Sequence, residues 1–371
     1  MDKNNWYQIK NIEDIDSPSL VLYEERMEYN LVKMIQMVDH DTSRLMPHVK
    51  TNKMPKVIGR MITLGIKNFK ASTIAEAEIA AREGANSVLI AHQLVGPKIH
   101  RLTALIKQFP STNFSTIIDN LDSLHMLHEN AIKNIIKIGV YIDVNSGMDR
   151  SGVQLGDDMN AILKSLPKLT SLQFLGLHVY DGHLRDSNFN DRKAKVESEI
   201  SSINKLFNIL KESNPDLLII CGGTPAFTAH LMEKNRICSP GTCVFWDWGY
   251  GDKLLEQDFK PAVLFITRVI SKPTKGIVTI DLGHKAVASE NPINQRVKFL
   301  NLEDYTLLSQ SEEHGVLQVK NWDNIKVGDV FYGLPYHICP TINLYDEVSV
   351  IKNELKAETW EITGRKRKIT I

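Results

Sequence analysis

From residue 45 to about residue 245 the chain alternates short β-rich runs with helical patterns, eight times over. The runs are 45–50, 68–72, 87–92, 113–119, 136–144, 172–180, 217–221 and 236–240. Strands alternating with helices imply parallel pairing through right-handed crossovers. Eight such units close a (β/α)8 barrel, which carries its chemistry at the C-terminal ends of its strands. The helical stretches bear their own marks. Ser72-Thr73-Ile74-Ala75-Glu76 resembles a capping box ahead of AEAEIAAREG, which stops on Gly84. KVESEISSINKLFNIL spaces its apolar residues as a helix does.

After about residue 253 the pattern changes. AVLFITRVI, GIVTIDLG, GVLQV, DVFYG and EVSVI are short β-rich runs broken by Gly, Pro and polar clusters, with no convincing long helix. This stretch reads as a mainly antiparallel β domain. The expected organisation is an N-terminal segment over 1–24, a TIM-type barrel over 25–252 and a β domain over 253–371. Residues 17–23, SPSLVLY, form one further strand, expected to pair with that β domain.

Composition removes several classes of function. With Lys+Arg equal to Asp+Glu, nothing draws the chain to nucleic acid or an anionic membrane. The basic run Arg365-Lys366-Arg367-Lys368 is short and reads as a solvated strand end. No apolar run approaches the roughly twenty residues of a membrane span, and MDKNNWYQIKNIEDID lacks a signal-peptide core. Cys221, Cys238, Cys243 and Cys339 show no CxxC spacing, so reduced thiols in a cytoplasmic enzyme are expected.

Polar residues fall on the expected strand ends. His48 and Lys50 close the first run, within Pro47-His48-Val49-Lys50-Thr51-Asn52-Lys53. Asp143, Asn145 and Arg150 follow the fifth; His178, Tyr180, Asp181 and His183 follow the sixth. Cys221-Gly222-Gly223-Thr224-Pro225 ends the seventh, and Ser239-Pro240-Gly241-Thr242 follows the eighth. A lysine at a barrel mouth loses part of its hydration and can act as a neutral amine toward an aldehyde cofactor. Alone, Lys50 reads first as a solvated loop lysine, since most lysines are surface groups. Glycine lets a backbone approach an anion closely, and N–H groups at a helix start bind it. Loops after the seventh and eighth strands are the usual phosphate cradle of such barrels. Gly222, Gly223 and Thr224 with Gly241 and Thr242 meet that description, although each alone is an ordinary turn. A phosphate cradle and a strand-end lysine together suggest pyridoxal 5′-phosphate.

His337-Ile338-Cys339 is the remaining sharp feature. In a strand, i and i+2 share a face, so imidazole and thiolate there would make half of a zinc site. Two protein ligands leave positions open for water and substrate. By itself the HxC spacing is weak, and a buried cysteine beside a capped histidine is the plainer reading.

Taken together, these segments resemble the D-threonine aldolase and D-serine dehydratase family of pyridoxal-phosphate enzymes, which have an alanine-racemase-like barrel. The opening S-P-x-L-V, the P-H-x-K-T lysine segment, the G-G-T-P loop, the P-G-T segment and the H-x-C-P-T segment occur in order along nearly the whole chain. The resemblance implies a Schiff base on Lys50 and phosphate on Gly222, Gly223, Thr224, Gly241 and Thr242. It also implies a divalent metal on His337 and Cys339, zinc on softness grounds with manganese as the alternative, and a homodimer. Departures include Asn52 where His is common, Cys221 where Ser is frequent, and Cys339 where the aldolases carry Asp. The thiolate resembles the dehydratase branch.

The implied substrate is a small D-3-hydroxy amino acid. Two reactions are open: β-elimination to an oxo acid and ammonia, favoured on Cys339, and aldol cleavage to glycine and an aldehyde. Lys50 would move the α-proton in the first. His183 is the candidate base for the second, and could instead merely cap its loop. Arg150 and Tyr180 are candidates to hold the cofactor ring or its oxygen. An amino-acid racemase would leave His337 and Cys339 unexplained, and a non-catalytic pyridoxal-phosphate carrier would not need the β domain.

Overall fold

The structure is a computed structural model that describes residues 5–371, so the first four residues of the N-terminal segment lie outside it. The chain folds into two compact units. One comprises 34–50, 55–241 and 367–371; the other comprises the N-terminal residues to 33, 51–54 and 242–366.

The first strand of the chain, β1 (Ser19–Tyr23), belongs to the second of these units. The first unit is built on seven parallel strands in sequence order: β2 (Asn68–Ala71), β3 (Ser87–Ile90), β4 (Asn113–Ile118), β5 (Ile138–Val144), β6 (Leu172–Val179), β7 (Leu218–Cys221) and β8 (Arg236–Cys238). Seven of the eight expected runs are therefore strands, each within two residues of its expected bounds. The first run departs. Leu45 bridges Cys238 and His48 bridges Lys70, both in parallel sense, but no ladder joins these isolated bridges. Pro47 is the reason, because it has no N–H to give to a neighbour. Its carbonyl still accepts from Lys70 N at 3.0 Å, while Met46 N donates to Cys238 O and His48 N to Pro240 O. The segment thus sits between β8 and β2 and closes the ring. It then turns into a 3-10 helix over Val49–Thr51, not a continued strand.

The helices begin as the sequence implies. Pro55–Thr63 has Pro at its first position, where the absent N–H leaves no bond unmade. In Ile74–Arg82 the Thr73 hydroxyl accepts from Glu76 N, and the Glu76 carboxylate returns to Ser72 N at 2.7 Å. The longest helix, Phe189–Ser213, is capped by Asn188. Inside the strand ring, Met46, Leu89, Ile117, Tyr141 and Ile220 form a buried layer. Among the described residues, no helix is long and apolar enough to cross a membrane.

The second unit is mainly antiparallel. Besides β1, its strands are β9 (Val263–Thr274), β10 (Ile277–Ile280), β11 (Val297–Phe299), β12 (Tyr305–Gln310), β13 (Gly315–Val319), β14 (Val330–Pro335), β15 (Glu347–Lys352) and β16 (Leu355–Glu361). The main path runs β12-β13-β10-β9-β1-β15-β16, with β14 on β9 and β11 on β14. β1 pairs antiparallel with β9 and parallel with β15. Val21, Tyr23, Leu264, Ile266, Tyr332 and Ile351 are part of its buried core. None of the four cysteines is in a disulfide.

Leu89 is fully buried in the inner layer of the strand ring. Leu89→Ala removes that packing with little chance of collapse, so it should cost about 2–5 kcal/mol of unfolding free energy. The urea midpoint should fall without a change in slope; an unchanged midpoint would mean the ring is not packed as described.

Candidate active site

At the C-terminal ends of the strands in the first unit, one aromatic ring collects three basic side chains. Lys50 Nζ and Lys70 Nζ each lie 5.8 Å from the Tyr180 ring centroid, and the Arg150 guanidinium carbon lies 4.6 Å from it. Lys50, Arg150 and Tyr180 are thus brought together as the sequence implies. Lys50 is half-buried in the 3-10 turn, and its backbone N donates to His48 Nδ1.

Lys70 does not stand out in the sequence. It is the third residue of β2, 2 % exposed, and its amine lies 3.4 Å from His178 Nε2. Burial is the main force lowering its pKa to about 7, helped by the Lys50 charge and opposed by Asp143, Asp181 and Cys221. His178 Nδ1 lies 2.7 Å from Asp143 Oδ1. Burial, with the Lys70 charge, keeps His178 below the usual imidazole range. Burial works against the Asp143 carboxylate, but donors from His178, Ser151 and Gln93 hold it below the usual value. The pair is therefore a neutral imidazole donating Nδ1–H to a carboxylate. That tautomer leaves Nε2 as an acceptor for the Lys70 amine.

Asp181, also on the sixth-strand loop, is buried against His230, with Oδ2 2.7 Å from Nε2. Arg236 donates to His230 Nδ1 at 3.1 Å, and Asp181 Oδ1 is buried without a hydrogen-bond partner. Spacing along the chain carries no sign of this row, because His230 and Arg236 lie outside the strand ends. Cys221 stays a thiol, since burial pushes it well above its ordinary value.

The glycine loop behaves as a close-approach backbone. Gly222 has φ +67°, and a Cβ there would lie 2.6 Å from the His230 ring. At Gly223 a Cβ would lie 3.0 Å from the Tyr180 ring. Gly241 N donates to Thr224 Oγ1 at 3.1 Å, which joins the loops after β7 and β8. One part of the sequence reading is corrected. The helix after Gly222-Gly223-Thr224 is only Phe227–Leu231, and Thr242 opens a 3-10 turn, Thr242–Val244. Helices this short carry little dipole, so any anion affinity rests on loop N–H groups and hydroxyls. Buried Ser239 Oγ has no partner and adds an unpaired hydroxyl to the loop after β8.

His183 stands apart from the Tyr180 cluster in its partners: Nε2 lies 3.1 Å from Glu199 Oε2, on the long helix. Its buried Nδ1 has no hydrogen-bond partner.

In the second unit, His337 and Cys339 do come together, but not on a strand. His337 is the extended N-cap of Ile338–Ile342, and Cys339 lies in the first turn of that helix. Pro340 explains the difference, because it fits a first helical turn and breaks a strand ladder. Ile338 N donates to Asp247 Oδ2 at 3.1 Å, which anchors the turn. The half-exposed His337 ring places Nδ1 2.7 Å from Glu290 Oε1. Cys339 Sγ lies 3.1 Å from Thr51 Oγ1 and 3.6 Å from Thr242 Oγ1. Burial opposes a charged His337, but Cys339, Asp247 and Glu290 overcome it and raise the imidazole to about 9. Imidazole and thiolate are a donor pair fit for zinc, and a carboxylate on the other ring nitrogen is the usual way to orient such a ligand. Among the described residues, no group of three His, Cys, Asp or Glu converges as a metal site.

Residues 23–247 match the family model described as alanine racemase, N-terminal domain. The chain belongs to this family. Residues 262–351 match a second model, putative serine dehydratase domain, and relatives by sequence include a D-threonine aldolase and a D-serine dehydratase from Saccharomyces cerevisiae, the latter 22% identical over 94% of this chain and 95% of its own. A D-threonine aldolase from an Arthrobacter species is 26% identical over 95% of this chain and 93% of its own. The solved D-threonine aldolase from Filomicrobium marinum superposes with a TM-score of 0.87 at 25% identity, covering 97% of this chain and 98% of that one. A D-threo-3-hydroxyaspartate dehydratase, solved as a cysteine-to-alanine mutant in the metal-free form, shares the fold with a TM-score of 0.80 at 22% identity over 94% and 97% of the two chains.

For this family member, Lys70 yields a direct prediction. Its pKa is lowered on folding, so the unfolded chain binds more protons between pH 7 and the ordinary lysine value of 10.5. Stability must then rise with pH across that window. Lys70→Met removes this contribution. The urea midpoint of the wild type should climb toward that of the variant from pH 7 to pH 10; parallel curves would refute a neutral buried amine.

Proposed function

We propose that this chain is a pyridoxal-phosphate- and divalent-metal-dependent lyase acting on D-3-hydroxy amino acids, by β-elimination of the D-serine dehydratase type. The observation that carries the reading is a lysine on the turn after the closing segment, beside Tyr180 and Arg150, in a barrel whose last two loops are joined through Thr224 and Gly241. The residues fit the cofactor: Gly223 has no room for a side chain against Tyr180, and Ser239 keeps a buried hydroxyl unpaired. Bound there, pyridoxal phosphate supplies an electron sink, and a bound divalent cation supplies a Lewis acid for the β-hydroxyl.

The chain's own residues take the following parts. Lys50 holds the cofactor and carries the proton at Cα. Gly222, Gly223, Thr224, Gly241 and Thr242 bind the phosphate, and Tyr180 and Arg150 hold the ring or its oxygen. His337 and Cys339 hold the cation, with Glu290 fixing the imidazole through Nδ1 so that Nε2 is the ligating nitrogen. The thiolate favours zinc over harder cations and supports elimination. It agrees with the dehydratase relative, whose metal-free structure is that of a cysteine mutant. The family resemblance supports a homodimer, and cysteines without disulfides support a cytoplasmic location.

Aldol cleavage is the second reading, favoured by the likeness to D-threonine aldolases. His183, oriented by Glu199, would then take the hydroxyl proton.

D-Threonine separates the two. Elimination gives 2-oxobutanoate and ammonia, whereas cleavage gives glycine and acetaldehyde. We expect the oxo acid; glycine without ammonia would transfer the proposal to the second reading. Chelator should abolish turnover and Zn²⁺ or Mn²⁺ restore it. His337→Ala should keep the cofactor absorbance but lose the rescue, and full activity in that variant would make the His337–Cys339 pair structural.

A further inference from the structure

Thr51 carries a fully buried hydroxyl that the proposed reaction does not use. The residue follows Lys50 directly and ends the Val49–Thr51 turn. Its Oγ1 lies 3.1 Å from Cys339 Sγ, within hydrogen-bond reach, although 288 positions separate the two in sequence. Both belong to the second compact unit. Thr242 Oγ1 is a more distant neighbour of the same sulfur, at 3.6 Å. A buried hydroxyl is costly to leave without a good partner. A thiol sulfur is a weak acceptor, whereas a thiolate takes a stronger, charge-assisted bond. The Thr51 hydroxyl is therefore matched to Cys339 in its anionic, metal-ligating form. In that form Cys339 has no proton to give, so Thr51 donates and the sulfur accepts.

We propose that Thr51 is a positioning residue for the divalent cation, its hydroxyl donating to the Cys339 thiolate and holding that sulfur in place to ligate. This rests on the reading of His337 and Cys339 as the ligands. The backbone on each side keeps the pair in register. Cys339 sits in the first turn of Ile338–Ile342, which Asp247 anchors by accepting from Ile338 N at 3.1 Å. Thr51 ends a turn that His48 ties down through Lys50 N. Each ligand then has one outer partner: Glu290 Oε1 at 2.7 Å from the imidazole Nδ1, and the Thr51 hydroxyl on the sulfur. Such partners set ligand orientation and cation affinity. The hydroxyl also stabilises the negative charge on sulfur, so its removal should leave the thiolate looser and its electrons more easily given up.

Co²⁺ is the probe, since its bond to a thiolate gives a charge-transfer band that Zn²⁺ lacks. Metal-stripped enzyme with its cofactor in place is titrated with Co²⁺ and read as a difference spectrum, and Zn²⁺ affinity is measured by competition with a chelator. Wild type is compared with Thr51→Val, which keeps the shape and loses the hydroxyl, and with Thr51→Ser, which keeps the hydroxyl. In Thr51→Val, Zn²⁺ affinity should fall roughly ten- to a hundred-fold, and the charge-transfer band should move to longer wavelength. Thr51→Ser should stay near the wild type in both. Thr51→Ala carries the same expectation as Thr51→Val where valine does not fit, and unfolding midpoints show which variants are folded. Wild-type affinity and band in Thr51→Val would overturn the inference alone. So would a loss shared equally by Thr51→Ser, or weaker binding with an unmoved band, since either makes packing and not the hydroxyl the cause. A wild type without the band, or a band that persists in Cys339→Ala, would overturn the metal reading and this inference together.

Discussion

Seven parallel strands cannot form a ring by themselves, and the closure here is made by a segment that is scarcely a strand. Leu45 to His48 bridges β8 on one side and β2 on the other, with Pro47 interrupting the ladder. A parallel ring has only one end at which strand C-termini meet. The closing segment therefore delivers Lys50 to the same mouth as Tyr180 and the Gly222 loop. Because the segment turns at once into Val49–Thr51, Lys50 sits on a tight turn held by His48.

Burial in that mouth sets the protonation of its groups. A buried amine, imidazole and carboxylate in a row could carry several charges in water, but low polarity allows few. Lys70 and His178 both shift toward their neutral forms, and Asp143 remains the one anion of the row because three donors hold it. A single aromatic ring, Tyr180, then serves as the face on which Lys50, Lys70 and Arg150 meet. In the second unit the balance runs the other way. His337 is drawn toward its charged form by Cys339, Asp247 and Glu290, an acidic setting suited to a cation.

The barrel was legible because period and punctuation agree. Strand runs such as 172–180 and helices such as Ile74–Arg82 carry both the pattern and its caps. Lys50, Arg150 and Tyr180 were legible because polar residues at strand ends have one place to go. Lys70 was not, since a lysine within a four-residue strand looks like any edge or solvent-facing residue until the ring is closed around it. The row of Asp181, His230 and Arg236 escaped for a similar reason: its partners are distant in sequence and meet only through packing. The reading of His337-Ile338-Cys339 as a strand failed on local grounds, because Pro340 and the Asp247 anchor make it a helix start. The pairing of the two side chains survived that error, because a helix cap followed by a first-turn residue also brings neighbours together.

The central claim is that Lys50, and no other lysine at this mouth, bears the cofactor. Lys53 and Lys56 are close in sequence, and Lys70 is close in space, with an amine already inclined to neutrality. Borohydride reduction of the enzyme as purified, followed by peptide mapping, distinguishes all four. The account predicts the pyridoxyl label on the peptide containing Lys50 alone. A label on Lys70, Lys53 or Lys56 in its place would contradict it.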